Sequence, residues 1–300
     1  MQTLLLVGCG DIAKRAAPWL VKRFKVFALM RDPTQFPTWR ALGCTPIQAD
    51  LDQAQTLQRL RGIANVVLYL APPPNIGLRD TRTFNLLQAL GSKAVMKTRS
   101  LPTRLSYVST TGVYGDCQGA EIDESRPTAP ITDRARRRVD AEQQLLTWGK
   151  QTGCAVTILR APGIYAEDRL PVERLQRGLP VLATDEDVFT NHIHADDLAM
   201  ACCLALFRRT ASQIINVVDD STLKMGDYFD AVADTFHLPR PHRMPRNILE
   251  QQLSTVQLSF MSESRRILNH RLKQELRLTL RYPTVADTLK SLSQEPHDEP

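Results

Sequence analysis

The stretch Thr3-Leu4-Leu5-Leu6-Val7-Gly8-Cys9-Gly10-Asp11-Ile12-Ala13 decides the fold, because an apolar strand runs directly into the pattern G-x-G-x-x-A. In this pattern Gly8 permits a tight turn, Gly10 leaves room for a pyrophosphate, and Ala13 lets the following helix pack close to the strand. At a strand–helix junction the pattern predicts a dinucleotide-binding turn. The alternative is a glycine turn in an α/β protein that binds nothing.

The helix that follows the turn gives a second reason to expect phosphate here. Its first turn begins with Asp11 and Ile12. The free N–H groups of a first helical turn, together with the positive end of the helix dipole, attract phosphate. We therefore assign Asp11 and Ile12 to the predicted cofactor site, beside Gly8, Gly10 and Ala13.

Composition places the chain among ordinary globular proteins. Of its 300 residues, 43% are hydrophobic and 23% are charged, which suits one large α/β domain or two small ones. The formal net charge of +6 is compatible with phosphate-bearing ligands but too small to indicate a nucleic-acid partner. No apolar run approaches the ~20 residues of a membrane span, and the N-terminal run of about five suits a strand rather than a signal peptide.

The six cysteines indicate a reducing compartment. They are scattered along the chain and form no C-x-x-C pair, a pattern typical of reduced thiols in a cytoplasmic protein. No group of His and Cys has the spacing of zinc ligands, so we expect no metal site.

Strands and helices alternate over the first two-thirds of the chain. This order predicts a parallel sheet covered by helices on both faces, and hence an α/β, Rossmann-type doubly wound fold. Residues 1–160 form the predicted NAD(P)-binding core, which segments near 190–218 rejoin. Residues 161–292 form mainly a small C-terminal substrate lobe, and residues 293–300 a flexible tail. The predicted strands are Thr3–Val7, Lys25–Met30, Thr45–Gln48, Asn65–Leu70, Leu105–Ser109, Ala155–Arg160 and Ile214–Val218. The predicted helices include Ile12–Phe24, one ending near Leu60, Arg79–Leu90, Thr132–Trp148, Asp196–Phe207 and a basic helix at Ser264–Leu276.

The end of the second strand bears on the choice between NAD and NADP. It reads Met30-Arg31-Asp32, about twenty residues after the glycine turn. An acidic residue here would bind the ribose 2′-OH of NAD, whereas an arginine accommodates a 2′-phosphate. Because Arg31 comes first, we favour NADP over NAD. The alternative is that both are solvated loop charges, with Asp32 opening an Asp-Pro turn.

The ends of the third and fourth strands complete the predicted cofactor site, because such sheets bind ligands at the carboxyl ends of their strands. Asp50 and Leu51 close the third strand, where the Asp50 side chain could meet the adenine edge. Asp50 could equally be the N-cap of the next helix. Ala71 and Pro72, which close the fourth strand, are assigned to the cofactor as well.

Three later segments resemble a known family. Leu105–Gly115 reads LSYVSTTGVYG and resembles the YxSSxxVYG strand of extended short-chain dehydrogenases/reductases, the NAD-dependent epimerase/dehydratase family. Leu159–Tyr165 resembles the LRxPxxYG segment of that family, and Asn191–Ala199 resembles its (N)xIHVDDLA segment. With the glycine turn, these motifs follow the family order over roughly residues 1–290. The resemblance implies a Rossmann fold, NAD or NADP, a small-molecule substrate and a homodimer through Arg79–Leu90 and Thr132–Trp148.

The resemblance also implies catalytic positions for a Ser or Thr, a Tyr, and a Lys four residues after the Tyr. Thr110 takes the Ser/Thr place, although it could equally be a β-branched residue that ends a strand. Counting back from the Ala141-Glu142 pair places Arg138 at the Lys position and Arg134 at the Tyr position. The chain therefore departs from the family pattern. It resembles atypical members that keep the glycine turn and lose the Tyr/Lys pair.

This departure bears on proton chemistry. Arginine stays protonated and has no acceptor, so Arg134 cannot act as a general base. Arg138 could still donate to the nicotinamide ribose. The two lie four residues apart on one helix face and could hold a phosphate or a carboxylate. The alternative is a solvated basic face, which we favour for Arg136 and Arg137.

Five further residues are assigned through the resemblance. Tyr114 and Tyr165 lie in segments that approach the nicotinamide pocket, although such residues are more often packing residues, and Pro162 is placed at the cofactor. His192 occupies a position where a basic residue often faces substrate phosphate. His194 matches a structural histidine of the family.

Together these features predict an NAD(P)-binding protein with reductase- or epimerase-like activity on a small phosphorylated or nucleotide-linked substrate, carried out by non-standard residues. The alternative is a catalytically silent NAD(P)-binding sensor or regulator. A nucleic-acid partner is a weaker third option, since no aromatic residues interleave with the arginines.

Overall fold

The computed structural model of the protein describes residues 1–91, 101–208 and 213–294. Its central element is a seven-stranded sheet in which every strand is parallel to its neighbours. The strands are β1 (Thr3–Val7), β2 (Lys25–Met30), β3 (Thr45–Gln48), β4 (Val66–Tyr69), β5 (Arg104–Thr110), β6 (Ala155–Ala161) and β7 (Ile214–Asn216).

The order of strands across the sheet is β7-β6-β5-β4-β1-β2-β3. The chain moves outward from β1 in one direction through β3, and then crosses back to continue through β4 on the other side. This reversal creates a crevice between the carboxyl ends of β1 and β4, the place where open α/β sheets bind ligands. The predicted Rossmann-type doubly wound fold is confirmed.

Helices cover both faces of the sheet. Alternate residues of β1 point to opposite faces, so that Leu4 and Leu6 join one core and Leu5 and Val7 the other. The helices are α1 (Asp11–Leu20), α2 (Phe36–Ala41), α3 (Thr81–Leu90), α4 (Asp133–Thr152), α5 (Val172–Gln176), α6 (Ala195–Ala205), α7 (Met225–Thr235), α8 (Arg246–Gln252), α9 (Thr255–Phe260), α10 (His270–Gln274) and α11 (Val285–Gln294). Helices α1 and α6 pack on the first core, and α3 and α4 on the second.

The segment after β6 builds a smaller lobe with its own apolar cluster. Tyr165 and Leu175 pack there against residues of α7 and α11. Short strand pairs stiffen the lobe and attach it to the sheet domain. They join Val181–Leu182 to Arg243–Met244, Phe189–Thr190 to Leu223–Lys224, Gly163–Tyr165 to His192–His194, and Glu121–Ile122 to Arg266–Ile267. Helix α6 packs on the first core, and strand β7 forms one edge of the central sheet.

Three local predictions are wrong. The predicted helix ending near Leu60 is a 3₁₀ segment at Ala54–Leu60. The predicted basic helix Ser264–Leu276 is a strand at Arg266–Ile267 followed by α10, because the strand finds a distant partner at Glu121–Ile122. Helix α11 extends to Gln294, two positions into the predicted tail. The rest of that tail, 295–300, lies outside the described residues.

A buried ion pair fastens α4 to the sheet. Arg160 Nε and Nη2 donate to the two carboxylate oxygens of Glu142 at 3.1 and 2.7 Å. Both side chains are almost fully buried, at 3% and 5% exposed. Removal of one partner would leave an uncompensated buried charge, which is a large penalty.

We expect Glu142→Gln to lower the free energy of unfolding by about 3–5 kcal/mol, because Arg160 would keep its charge in a dry site. Chemical denaturation measures this loss. Asp133→Asn is the matched control. It removes an exposed ion pair with Arg136 at 3.0 Å and should cost less than about 1 kcal/mol. Equal losses in the two variants would contradict this account of the buried pair.

Candidate functional site

The glycine turn lies at the crevice between β1 and β4. Gly8 has a φ of +97°, and a Cβ added to it would lie 2.7 Å from the Ala71 Cα and 2.8 Å from the carbonyl carbon of Leu70. Only glycine allows this close crossing. A Cβ on Gly10, by contrast, would meet no heavy atom of the described residues within 4 Å. The space at Gly10 is therefore open toward the crevice, and a dinucleotide phosphate fits it.

The first turn of α1 is also free to bind a ligand. Among the described residues, no side chain hydrogen-bonds to the N-terminal amides of α1 as a cap. The carboxylate of Asp11 instead accepts from Arg15 Nε at 3.1 Å and from Arg169 Nη1 at 3.2 Å. Ala13 is buried against the sheet, and Ile12 is half-buried at the rim. Uncapped amides at a helix N-terminus suit an anionic ligand.

The two candidate residues for the ribose, Arg31 and Asp32, follow β2 and have different hydrogen-bonding partners. Arg31 is exposed and its charge contributes to the lowered pKa of Asp52. Asp32 caps the following 3₁₀ turn, where it accepts from the Thr34 amide at 2.9 Å. The hydrogen bonds from Thr34 lower the pKa of Asp32. Asp32 is thus a turn residue, while Arg31 stays available to a ligand.

Hydrogen bonds from the Arg82 side chain connect the segments that follow β3 and β4. Arg82 donates to both carboxylate oxygens of Asp52, at 2.8 and 2.6 Å, and to the Pro72 carbonyl at 3.0 Å. The Arg82 guanidinium lowers the pKa of Asp52. Asp50 accepts from the Asp52 amide at 3.0 Å, which makes Asp50 a turn residue. Leu51 and Ala71 are buried beside these turns.

A cavity of about 340 Å³ opens at the carboxyl ends of β5 and β6. Three residues predicted from separate motifs, Thr110, Arg134 and Pro162, line it together. The Thr110 hydroxyl accepts from the Gly112 amide at 3.2 Å and so fixes the turn after β5. Thr110 therefore combines the turn role with a position at the cavity.

The two predicted arginines of α4 have different partners. The Arg134 guanidinium lies over the ring of Phe260, 4.6 Å from its centroid, at the cavity. Arg138 Nη1 instead donates to the Tyr107 hydroxyl and to the Val108 carbonyl, both at 2.8 Å. Burial raises the pKa of Tyr107 to about 12, and Arg138 partly offsets this rise. Arg138 is thus committed to β5, whereas Arg134 remains at the cavity.

The prediction that Arg136 and Arg137 are both solvated is correct for Arg136 and wrong for Arg137. Arg136 is exposed and pairs with Asp133. Arg137 is only 8% exposed and donates to the carbonyl of Gly77 at 2.5 Å. It is a structural residue that ties α4 to the loop after β4, so its predicted solvation is wrong.

Two charged residues of the cavity were not predicted. Glu263 and Arg265 also line it. Arg265 Nη1 donates to Glu263 at 2.6 Å and to the Gly115 carbonyl at 2.7 Å. The predicted helix at Ser264–Leu276 contains Arg265 and begins directly after Glu263. Residues two apart share a side only in an extended chain, so an extended segment here would have predicted that the two side chains lie together.

The two tyrosines assigned to substrate are buried in the packing. The Tyr114 hydroxyl donates to Asn216 Oδ1 at 2.8 Å, and Arg160 lies over the ring at 4.7 Å from its centroid. Tyr165 packs edge-on against His192 and His194. Burial is the main cause of the raised pKa of both phenols. Each tyrosine has the packing role that the sequence left open.

The two histidines of the Asn191–Ala199 segment also differ. His194 Nδ1 accepts from the Asp196 amide at 3.2 Å and caps α6, a structural role. His192 is 5% exposed and packs against Tyr228, with the rings tilted by 36° and their centroids 4.4 Å apart. Burial lowers the pKa of His192 to about 4. His192 is therefore neutral at pH 7, which corrects its assignment as a basic residue facing a phosphate.

Within the described residues, no helix is long and apolar enough to cross a membrane. Likewise, the described part of the chain holds no group of three or more His, Cys, Asp or Glu side chains that could bind a metal ion.

We expect His192 to make the protein less stable in mild acid. The unfolded histidine takes up a proton near pH 6.5, whereas the folded one does so only near pH 4. Stability is therefore retained above pH 6.5 and lost as the pH falls. By proton linkage the loss at pH 5 is about 2 kcal/mol. Burial raises the pKa of Asp219 to about 7, which acts in the opposite direction over the same pH range, so the effect of His192 is measured as a difference between variants. In urea unfolding at pH 7 and pH 5, the change in stability on acidification should be about 2 kcal/mol more favourable in His192→Gln than in the parent protein. His270→Gln, at an exposed position, should match the parent protein. An unchanged pH dependence in His192→Gln would refute the assignment.

Comparisons with known proteins agree with this geometry. The chain is 28% identical to a functionally unknown conserved protein from Silicibacter pomeroyi, with a TM-score of 0.79 over 97% of this chain and 98% of that one. It is 17% identical to the UDP-glucuronic acid 4-epimerase of Bacillus cereus, solved with UDP-glucuronic acid and NAD. The TM-score there is 0.72 over 97% of this chain and 98% of that one. The second likeness shows the fold alone.

Among curated proteins, the chain is 32% identical to the protein YeeZ of Escherichia coli over 114 residues. The match spans 38% of this chain and 39% of YeeZ, so the chain covers less than half of that relative. Residues 13–217, more than half of the chain, match the NAD dependent epimerase/dehydratase family. The protein belongs to the NAD-dependent epimerase/dehydratase family.

Proposed function

We propose that the protein is an NAD(P)-dependent oxidoreductase with a reductase- or epimerase-like activity. Its substrate is small and phosphorylated or nucleotide-linked, and the cavity at the ends of β5 and β6 holds the reacting end. One observation carries this proposal: Thr110, Arg134 and Pro162, taken from three separate motifs, line a single cavity on the edge of the sheet that bears the glycine turn. The UDP-sugar named with the Bacillus cereus structure supports the substrate class.

The residues of the crevice fit a dinucleotide. Gly8, Gly10 and the amides of Asp11, Ile12 and Ala13 would hold its phosphates, since the space at Gly10 is open and α1 is uncapped. Arg31 would bind the 2′-phosphate of NADP. The remaining contacts would come from Asp50, Leu51, Ala71, Pro72 and Pro162 at the strand ends. When bound, the nicotinamide supplies or accepts a hydride.

The remaining chemistry is a proton transfer. Arg134 and the Thr110 hydroxyl would donate hydrogen bonds to the substrate oxygen and orient it, while Arg138 supports the site from β5. Glu263 is the one carboxylate among the described residues that line the cavity. A carboxylate can accept a proton, which Arg134 cannot do. We therefore assign proton exchange to Glu263, in place of the tyrosine that this chain lacks.

A second candidate is a catalytically silent NAD(P)-binding sensor. The presence of Arg134 at the tyrosine position favours this candidate, because a guanidinium cannot exchange a proton with the substrate as the phenol of a tyrosine does. In this case the glycine turn still binds the dinucleotide, and the cavity binds a regulatory ligand or none.

Partners and compartment complete the proposal. We propose a homodimer through α3 and α4, because Phe84 on α3 and Ile131, two residues before α4, are apolar side chains 55% and 51% exposed. A cytoplasmic location is supported by the six cysteines, all of which are free thiols.

We expect Gly10→Asp to abolish dinucleotide binding without unfolding the protein. The added carboxylate has room, but it would repel the pyrophosphate and occupy its place. Titration with NADPH and with NADH, followed by the fluorescence of the reduced nicotinamide, measures binding. Gly178→Asp is the matched control. It also meets open space, and Asp tolerates the left-handed backbone there.

The same titration tests the cofactor preference. NADPH should bind more tightly than NADH, and Arg31→Ala should remove the difference by weakening NADPH alone. If neither nucleotide binds the parent protein, both candidate functions fail.

We expect the protein to reduce NADP⁺ or NAD⁺ in the presence of a suitable hydroxyl compound, whose hydroxyl proton Glu263 would accept, and Glu263→Gln to lower kcat at least about 100-fold with little effect on KM. Absorbance at 340 nm with a panel of phosphorylated and UDP-linked sugars measures the rate. Glu121→Gln, which removes an exposed carboxylate outside the cavity, should match the parent. Tight cofactor binding without turnover across a broad panel would favour the sensor.

A further inference from the structure

The smaller lobe contacts the first turn of α1 through a short 3₁₀ turn, Glu167–Arg169. The Arg169 amide donates to the Ala166 carbonyl at 2.9 Å, which closes this turn. At its end, Arg169 Nη1 donates to the Asp11 carboxylate at 3.2 Å. Asp11 is the first residue of α1 and follows Gly10 directly. The contact therefore brings a cation of the smaller lobe to the edge of the proposed phosphate site.

The two arginines that contact Asp11 differ in how many of their nitrogens have partners. Arg15 Nε donates to Asp11 at 3.1 Å. Arg15 Nη1 and Nη2 donate to Asp196 at 2.7 Å and to Asp168 at 3.2 Å. Arg169, in contrast, has Nη1 as the one guanidinium nitrogen that hydrogen-bonds to a described residue. Since a guanidinium has five N–H donors, Arg169 keeps donors for a ligand.

The charge around the first turn of α1 leaves room for another cation–anion contact. Asp11 is a carboxylate beside the place of a pyrophosphate, and like charges at this separation repel each other. The helix N-terminus itself supplies only a partial positive charge. A guanidinium can pair with a phosphate through two parallel N–H donors. The Arg169 side chain is 37% exposed, so it can turn from Asp11 toward a phosphate without disturbing the core.

We propose that Arg169 binds the pyrophosphate of the dinucleotide and thereby holds the smaller lobe against the cofactor. This inference rests on the proposed function and adds to its cofactor site a residue from the lobe assigned to substrate. The pyrophosphate is common to NAD and NADP, so Arg169 acts on both. In this it differs from Arg31, whose proposed partner is the 2′-phosphate of NADP.

Fluorescence titration of the full chain with NADH and with NADPH tests this assignment. Arg169→Gln should weaken the binding of both nucleotides by the same factor of about tenfold, the size typical of one lost charge-assisted hydrogen bond. Arg31→Ala, in contrast, should weaken NADPH alone. Arg177→Gln is the matched control, because Arg177 is a 66% exposed arginine of the same lobe, 3.9 Å from Glu173. This control should bind both nucleotides as the parent protein does.

A second comparison separates direct contact with the pyrophosphate from an indirect effect through Asp11. An arginine that only neutralises Asp11 has no further effect once the carboxylate is removed, as in Asp11→Asn. A direct contact persists in that background. We therefore expect Arg169→Gln to weaken NADH by about tenfold in the Asp11→Asn protein as well.

Two results would overturn the proposal. One is parental affinity of Arg169→Gln for both nucleotides. The other is a loss of affinity that disappears in the Asp11→Asn background, which would assign Arg169 to Asp11 alone. Failure of the proposed function has a different signature, because the parent protein then binds neither NADH nor NADPH, and the role of Arg169 fails with it.

Discussion

A buried carboxylate and a buried guanidinium hold the candidate site in place. The Glu142–Arg160 pair joins α4, which carries Arg134 and Arg138, to β6, whose end leads into Pro162. Because both groups are buried, separating them would leave two unpaired charges away from water, which is a large penalty. The same guanidinium lies over Tyr114, whose hydroxyl reaches β7 through Asn216. One ion pair thus fixes a helix and two strands at the edge of the sheet where the cavity forms.

The sequence predicts most of what local patterns can specify. The turn at Gly8 was readable because a positive φ and a close backbone crossing demand glycine, and both are present. The seven parallel strands were readable because buried strands between amphipathic helices leave few other topologies. Thr110 and Arg134, which the motifs predict as site residues, line one cavity.

What the sequence missed depends on contacts between distant segments. Arg266 and Ile267 form a strand only because Glu121 and Ile122 offer an edge to pair with, and no local signal reveals this. That pairing brings Glu263 and Arg265 to the cavity. The sequence also does not reveal the neutral state of His192. Its pKa is lowered by burial beside Tyr228, a residue from a distant segment. Arg137 is likewise buried in a contact between distant segments, in which it donates to the carbonyl of Gly77.

The proposed chemistry places Arg134 at the position of the family's tyrosine. A phenol both donates and accepts, whereas a guanidinium only donates, so the two tasks must be divided between two residues. The cavity offers such a division, with donors at Arg134 and Thr110 and an acceptor at Glu263. An adjoining cavity of the smaller lobe differs in charge from the one beside β5. Arg134, Glu263 and Arg265 line the cavity beside β5, whereas a neutral histidine, His192, and the rings of Tyr228 and Phe229 line the other. Charged groups therefore concentrate at the strand ends, where donors and an acceptor are needed.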